Sequence, residues 1–98
     1  MSENTVLMKT IEKMDTAYAQ KLGEELKNMV EDGTNHITLD MEDTIYICSM
    51  ALRVFLKTQK SLEAREGTLV LRHVTTSVME VFDVTGFSGL FQFEDRLS

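Results

Sequence analysis

Apolar side chains recur along the chain with two alternating periods, every second residue in some stretches and every third or fourth in others, and this alternation predicts an α/β fold. Residues 5–11, Thr-Val-Leu-Met-Lys-Thr-Ile, are rich in β-branched and apolar types and predict a first strand. Asp15 or Thr16 then offers a side-chain oxygen to the bare amides of a helix N-terminus, and Tyr18, Leu22, Leu26, Met29 and Val30 follow at helical spacing. That helix should stop near Asp32 and Gly33, where glycine accepts the left-handed conformation of a C-terminal cap. Residues 36–40 alternate as a strand with Ile37 and Leu39 on one face, and an acidic loop at Glu42 and Asp43 leads into a short apolar run, Ile45-Tyr46-Ile47-Cys48.

Ser49 is placed to cap the longest helical pattern, about residues 50–65, whose core face carries Leu52, Phe55, Leu56, Gln59 and Leu62, with Gln59 the polar exception. Gly67 ends that helix, and Thr68 to Val74 is so nearly continuous in apolar residues that it predicts a strand buried on both faces. Ser77 followed by Glu80 reads as a capping box opening a short helix with Val78, Val81 and Phe82 inward, closed by Gly86. Phe91-Gln92-Phe93 alternates as a last short edge strand. The expected architecture is a small, mixed but largely parallel sheet of about four strands with three main helices, in one domain spanning residues 1–98.

Composition narrows the function. Ten Lys and Arg against 16 Asp and Glu give a net charge of −6, the wrong sign for a protein that gains affinity by neutralising phosphates, so nucleic acid is not expected as a partner. No stretch approaches the roughly 18 consecutive apolar residues of a membrane-spanning helix, and the first residues lack a basic segment followed by an apolar one, so a cytoplasmic location without membrane insertion is expected. Cys48 is the only cysteine and cannot close an intrachain disulfide; with two widely separated histidines, His36 and His73, it offers no metal-ligand spacing. Neither a metal nor another cofactor is expected, and both histidines read as structural.

Three segments carry a resemblance. Ile37-Thr38-Leu39-Asp40-Met41, the junction Ile47-Cys48-Ser49-Met50-Ala51-Leu52, and the stretch from Gly67 through Ser77-Val78 to Val81-Phe82-Asp83-Val84-Thr85-Gly86-Phe87 together resemble the STAS domain of bacterial anti-sigma-factor antagonists over about residues 14–93. Members of that family commonly begin with two strands and finish with a further helix. Here one strand is expected before Met14-Asp15 and five residues follow Phe93, a version trimmed at both ends. Fewer elements leave a sheet edge or face exposed, from which a homodimer is expected.

The resemblance implies how such a protein acts. In antagonists that work by partner switching the junction reads Asp-Ser-Ser/Thr-Gly-Leu, and the second hydroxyl residue is phosphorylated by a partner anti-sigma kinase. The aligned residues here are Cys48-Ser49-Met50-Ala51-Leu52, so a thioether stands at the acceptor position and only Ser49 keeps a hydroxyl. Ser49 reads as the helix cap before it reads as a displaced phosphorylation site. Arg53, Lys57 and Lys60 follow at i, i+4 and i+7, a basic stripe flanked by Met50 and Val54. Cys48, Ser49, Met50, Ala51, Arg53, Val54 and Lys57 are therefore the expected contact residues for an anti-sigma factor or a sigma-regulating serine kinase, Met50 being the methionine expected to be exposed. The same resemblance admits a soluble STAS accessory subunit of a lipid or anion transporter. A small serine hydrolase built on Ser49 is disfavoured because the Gly-x-Ser-x-Gly turn is missing, and no enzymatic activity is expected.

Overall fold

The computed structural model describes residues 5–95. In chain order the elements are β1 (Thr5–Lys9), β2 (Lys13–Met14), α1 (Thr16–Glu31), β3 (His36–Asp40), β4 (Tyr46–Ile47), α2 (Ser49–Glu63), β5 (Thr68–Arg72), α3 (Thr76–Thr85) and β6 (Gln92–Glu94). β1, β3, β5 and β6 lie side by side in that order, and every pairing is parallel. Parallel neighbours need crossover connections, which α1, α2 and α3 supply. A second, two-stranded parallel ladder joins β2 to β4, with Lys13 opposite Tyr46 and Met14 opposite Ile47.

Register explains the core. Strand residues alternate between faces, so Ile37, Leu39, Leu69 and Leu71 point one way and are buried. Leu22, Leu26 and Val30 from α1 and Ala51, Leu52, Phe55 and Leu62 from α2 join them in one core cluster. The other sheet face carries Leu7, Thr38, Val70 and Gln92 in one transverse row, and its central residues are only half-buried. Behind α2, Phe82 packs with Phe55, Phe91 and Phe93 at centroid separations of 6.4, 5.6 and 5.4 Å, the last two edge-on. Aromatic quadrupoles favour that edge-on arrangement beyond the burial itself.

Several expected boundaries move for identifiable reasons. The first strand stops at Lys9 because Thr10 turns inward, its amide bonding the Asp40 carbonyl at 3.0 Å. A second short strand, β2, precedes α1, where a single strand was expected. Of the two expected caps of α1, Asp15 takes the role, accepting from the Tyr18 amide at 2.9 Å, and Thr16 is the first helical residue. β5 ends at Arg72 because His73 adopts a left-handed conformation, φ 56°. Nor do Ser77 and Glu80 form a capping box. Thr75 occupies the cap of α3, and its hydroxyl donates instead to the Thr44 carbonyl at 2.8 Å, a tertiary bond that displaces the local one. Gly86 closes α3 in the left-handed region at φ 81°.

The end of α2 shows glycine used for space. The left-handed residue is Glu66, at φ 59°, one position before the expected glycine. A Cβ on Gly67 would lie 2.0 Å from the Asn35 carbonyl oxygen, so the residue is needed for close backbone approach and not for a positive φ. Its amide returns to the Leu62 carbonyl at 2.7 Å, and the next amide, of Thr68, bonds that same Asn35 oxygen. Gln59, the polar exception on the core face, is half-buried and donates to the Leu90 carbonyl.

Candidate functional site

The start of α2 is delivered by the β2–β4 ladder. Ile45 and Tyr46 donate their amides to the Glu12 carbonyl at 2.9 and 3.3 Å, and Cys48 donates to the Met14 carbonyl at 3.1 Å. Beneath them three threonines tie the ladder to the main sheet. Thr44, fully buried, donates its hydroxyl to the Ile11 carbonyl at 2.7 Å and also meets the hydroxyl of buried Thr10, while Thr75 bonds the Thr44 carbonyl from the other side. A buried hydroxyl left without partners is costly, so this knot holds residues 10–12 and 44–48 in one arrangement. Sequence reasoning did not find it, because the partners are more than thirty residues apart and threonine carries no local signature of such a role.

At the junction the expected cap is corrected. The residue before the helix is Cys48, in extended conformation and without a side-chain cap bond; Ser49 is the first helical residue and is exposed. The β4 register determines this, since pairing of Ile47 with Met14 leaves only Cys48 between strand and helix. Met50, expected to be exposed, is half-buried and packs against the core cluster at the mouth of the groove between α1 and α2. Ala51, also expected at the contact surface, is fully buried and supports the helix from within. Arg53, Lys57 and Lys60 are all exposed, and none makes an ion pair among the described residues. Val54 is half-buried against Gly23 of α1, where an added Cβ would meet a Val54 methyl at 3.1 Å.

Next to this junction, at the carboxyl ends of the parallel strands, the structure joins charged groups that the sequence separates. Asp40 Oδ1 accepts from the Glu42 amide at 3.1 Å and lies 3.1 Å from His73 Nδ1. Burial raises the Asp40 pKa, but the Glu42 N–H, the hydrogen bond and charge of His73, and the Lys9 charge together outweigh it and hold the carboxyl below the usual range. Potential ligand atoms of Asp40, Glu42 and His73 all lie within 4.8 Å of one another, a proximity that spacing along the chain did not reveal. Those groups are engaged with each other and with Lys9, whose ammonium is 3.6 Å from Glu42 and 3.3 Å from Asp43. His36 lies elsewhere on the sheet and bonds the Thr68 hydroxyl at 2.8 Å.

Three comparisons bear on the chain. The family model described as STAS domain matches residues 2–98. BtrV of Bordetella bronchiseptica, assigned as an anti-sigma factor antagonist, is 37% identical over 78 residues, covering 80% of this chain and 67% of that protein. The anti-sigma-B factor antagonist of Staphylococcus aureus is 28% identical over 82 residues, covering 84% of this chain and 76% of its own. Among solved structures, unphosphorylated SpoIIAA superposes with a TM-score of 0.83 at 17% identity, over 94% of this chain and 81% of that one. A Thermotoga maritima protein of the same assignment gives 0.85 at 21% identity, over 97% and 82%. SpoIIAA in its phosphorylated form gives 0.75 at 16% identity, over 94% and 84%. Among the described residues no helix is long and apolar enough to cross a membrane.

Proposed function

This chain belongs to the STAS domain family, and on that premise we propose that it is an anti-sigma factor antagonist-like docking module that binds an anti-sigma factor, or a serine kinase of the sigma-regulating type, through the first two turns of α2. The observation that carries the reading is Met50. It stands on the first turn of α2 between exposed Ser49 and the exposed cations of Arg53 and Lys57, where the family resemblance places the phosphorylated hydroxyl. A helix N-terminus presents free amides and a positive dipole end, a setting that accommodates a phosphate dianion when a hydroxyl is there to carry it. A thioether has no nucleophilic oxygen, so phosphoryl transfer has no acceptor at Met50. Docking is then constitutive with respect to that switch, and control lies in the amount of the protein or of its partner.

The surface suits binding more than catalysis. Met50 and Val54 supply half-buried apolar contacts, and the cations beside them select an acidic complement. Ala51 acts indirectly, its small side chain letting the helix start lie close on the core. We assign no catalytic activity and no cofactor to the module, and a cytoplasmic site of action. The test is co-purification on tagged protein with the captured partner identified by mass, comparing wild type with Met50→Asp. Recovery of an anti-sigma factor or sigma-regulating kinase on wild type and its loss on the variant support the proposal. Equal recovery on both overturns the role of Met50, and recovery of a transporter ATPase in its place overturns the pathway.

A further inference from the structure

Six large apolar side chains are exposed among the described residues, and three of them, Ile11 at 46%, Ile45 at 52% and Tyr46 at 51%, lie on the two paired segments that lead into α1 and α2 respectively. Their backbones are fixed. The Ile11 carbonyl is held by the Thr44 hydroxyl, and the Ile45 and Tyr46 amides by the Glu12 carbonyl. Apolar groups displayed on such a rigid ladder lose little conformational entropy on binding, and tyrosine is among the residue types enriched at interface hot spots. The surrounding charge is chiefly acidic: Glu12, Asp15, Glu42 and Asp43 are exposed, against Lys9 and Lys13, and Lys9 is already paired with Glu42 and Asp43. The α2 stripe of Arg53, Lys57 and Lys60 has the opposite sign.

We propose that Ile11, Ile45 and Tyr46 form a second anchor of the docking surface, seated in an apolar recess of the same partner whose rim is basic. This rests on the docking role assigned to α2 above and extends it. The partner then meets two patches of opposite sign, acidic at the ladder and basic along α2, and the pair fixes its orientation as well as its affinity. Reversing the partner on the surface would place like charges together at both ends. Neither patch alone makes that distinction.

The experiment is calorimetric titration of the purified partner, once identified as a sigma regulator by co-purification, into wild type, Tyr46→Ser, Asp43→Lys and Arg53→Glu/Lys57→Glu, with melting curves for each. Tyr46→Ser should raise Kd at least tenfold and Asp43→Lys severalfold, with melting temperatures close to wild type because these side chains are half exposed or more. Hydrogen exchange on the wild-type complex gives a reading that no variant can disturb, and it should protect amides at 11–13 and 44–47 as well as those at the start of α2. If the α2 reversal abolishes binding while Tyr46→Ser does not weaken it and the ladder is unprotected, the second anchor is overturned and the α2 site stands. If neither set of changes weakens binding and the protected amides lie elsewhere, both fall.

Discussion

Removing the Thr44 hydroxyl tests whether the polar knot beneath the β2–β4 ladder holds the site in place. Thr44→Val keeps the branched shape and deletes one oxygen at a fully buried position. That oxygen donates to the Ile11 carbonyl at 2.7 Å and meets the Thr10 hydroxyl. Two hydrogen bonds at about 1 kcal/mol each are lost. Thr10, 3% exposed, is left with only the Asp40 carbonyl at 3.4 Å, a poor substitute that adds a fraction of the roughly 1–3 kcal/mol cost of an unsatisfied buried group. The total is about 2–3 kcal/mol. At about 4–8 °C per kcal/mol for a domain of this size, the melting temperature should fall by about 10–20 °C. Thr44→Ser keeps the oxygen and loses one methyl, costing only about 1 kcal/mol. Urea denaturation followed by circular dichroism measures both, with an unchanged m-value showing that two-state unfolding persists. A Thr44→Val protein within about 0.5 kcal/mol of wild type, the usual effect of an ordinary surface change, refutes the knot, as does Thr44→Ser proving equally damaging.

At the end of α2 two adjacent substitutions should act in opposite directions. Gly67→Ala forces a Cβ to within 2.0 Å of the Asn35 carbonyl oxygen and should cost about 3 kcal/mol, the upper part of the overpacking range. Glu66→Gly relieves a left-handed residue at φ 59°, a penalty of about 1–2 kcal/mol, less about 0.5–1 kcal/mol of added chain entropy, for a net gain of about 0.5 kcal/mol. Chemical denaturation of the pair checks the opposed signs, and a neutral Gly67→Ala would contradict the close approach. In acid, the depressed Asp40 pKa means that the folded state favours the ionised carboxylate. That contribution is fully present above the unfolded carboxyl's value and is lost as pH falls through the lower folded value. Asp40→Asn should therefore flatten the acid limb of a stability–pH curve below the ordinary carboxylate range, and an acid limb of unchanged slope would count against the stabilisation of the ionised carboxylate by the Glu42 amide, His73 and Lys9 together.

The parts of the fold legible in the sequence were those set by periodic burial. Of the positions read from spacing, Leu22, Leu26 and Val30 in α1, Leu52, Phe55 and Leu62 in α2, and Ile37 and Leu39 in β3 are buried, because a helix or strand face that meets the core must repeat at its own period, while Tyr18, Met29, Leu56 and Gln59 sit at the margins of those faces and are half-buried. Asp15 and Gly86 were legible as caps because their partners are local. Ser49, Ser77 and Glu80 misled because a local capping pattern competes with tertiary demands. Register in the β2–β4 ladder moved the start of α2, and Thr75 was drawn to the Thr44 carbonyl. In the site, spacing placed Arg53 and Lys57 on an exposed face, and the family resemblance placed Met50. Its partial burial, the full burial of Ala51 and the exposure of Ile45 and Tyr46 depend on how α2 and the ladder settle on their neighbours, which periodicity does not encode.

The central claim is that docking has been uncoupled from phosphorylation by a thioether at the head of α2. Its most direct test is to incubate the protein with the sigma-regulating kinase proposed as its partner and ATP, measure the intact mass, and titrate that kinase before and after, with Met50→Ser alongside. The account predicts unchanged mass and unchanged affinity for wild type, while Met50→Ser gains one phosphate and then loses affinity. Stoichiometric phosphate on wild type at Ser49, accompanied by release of the kinase, would contradict it.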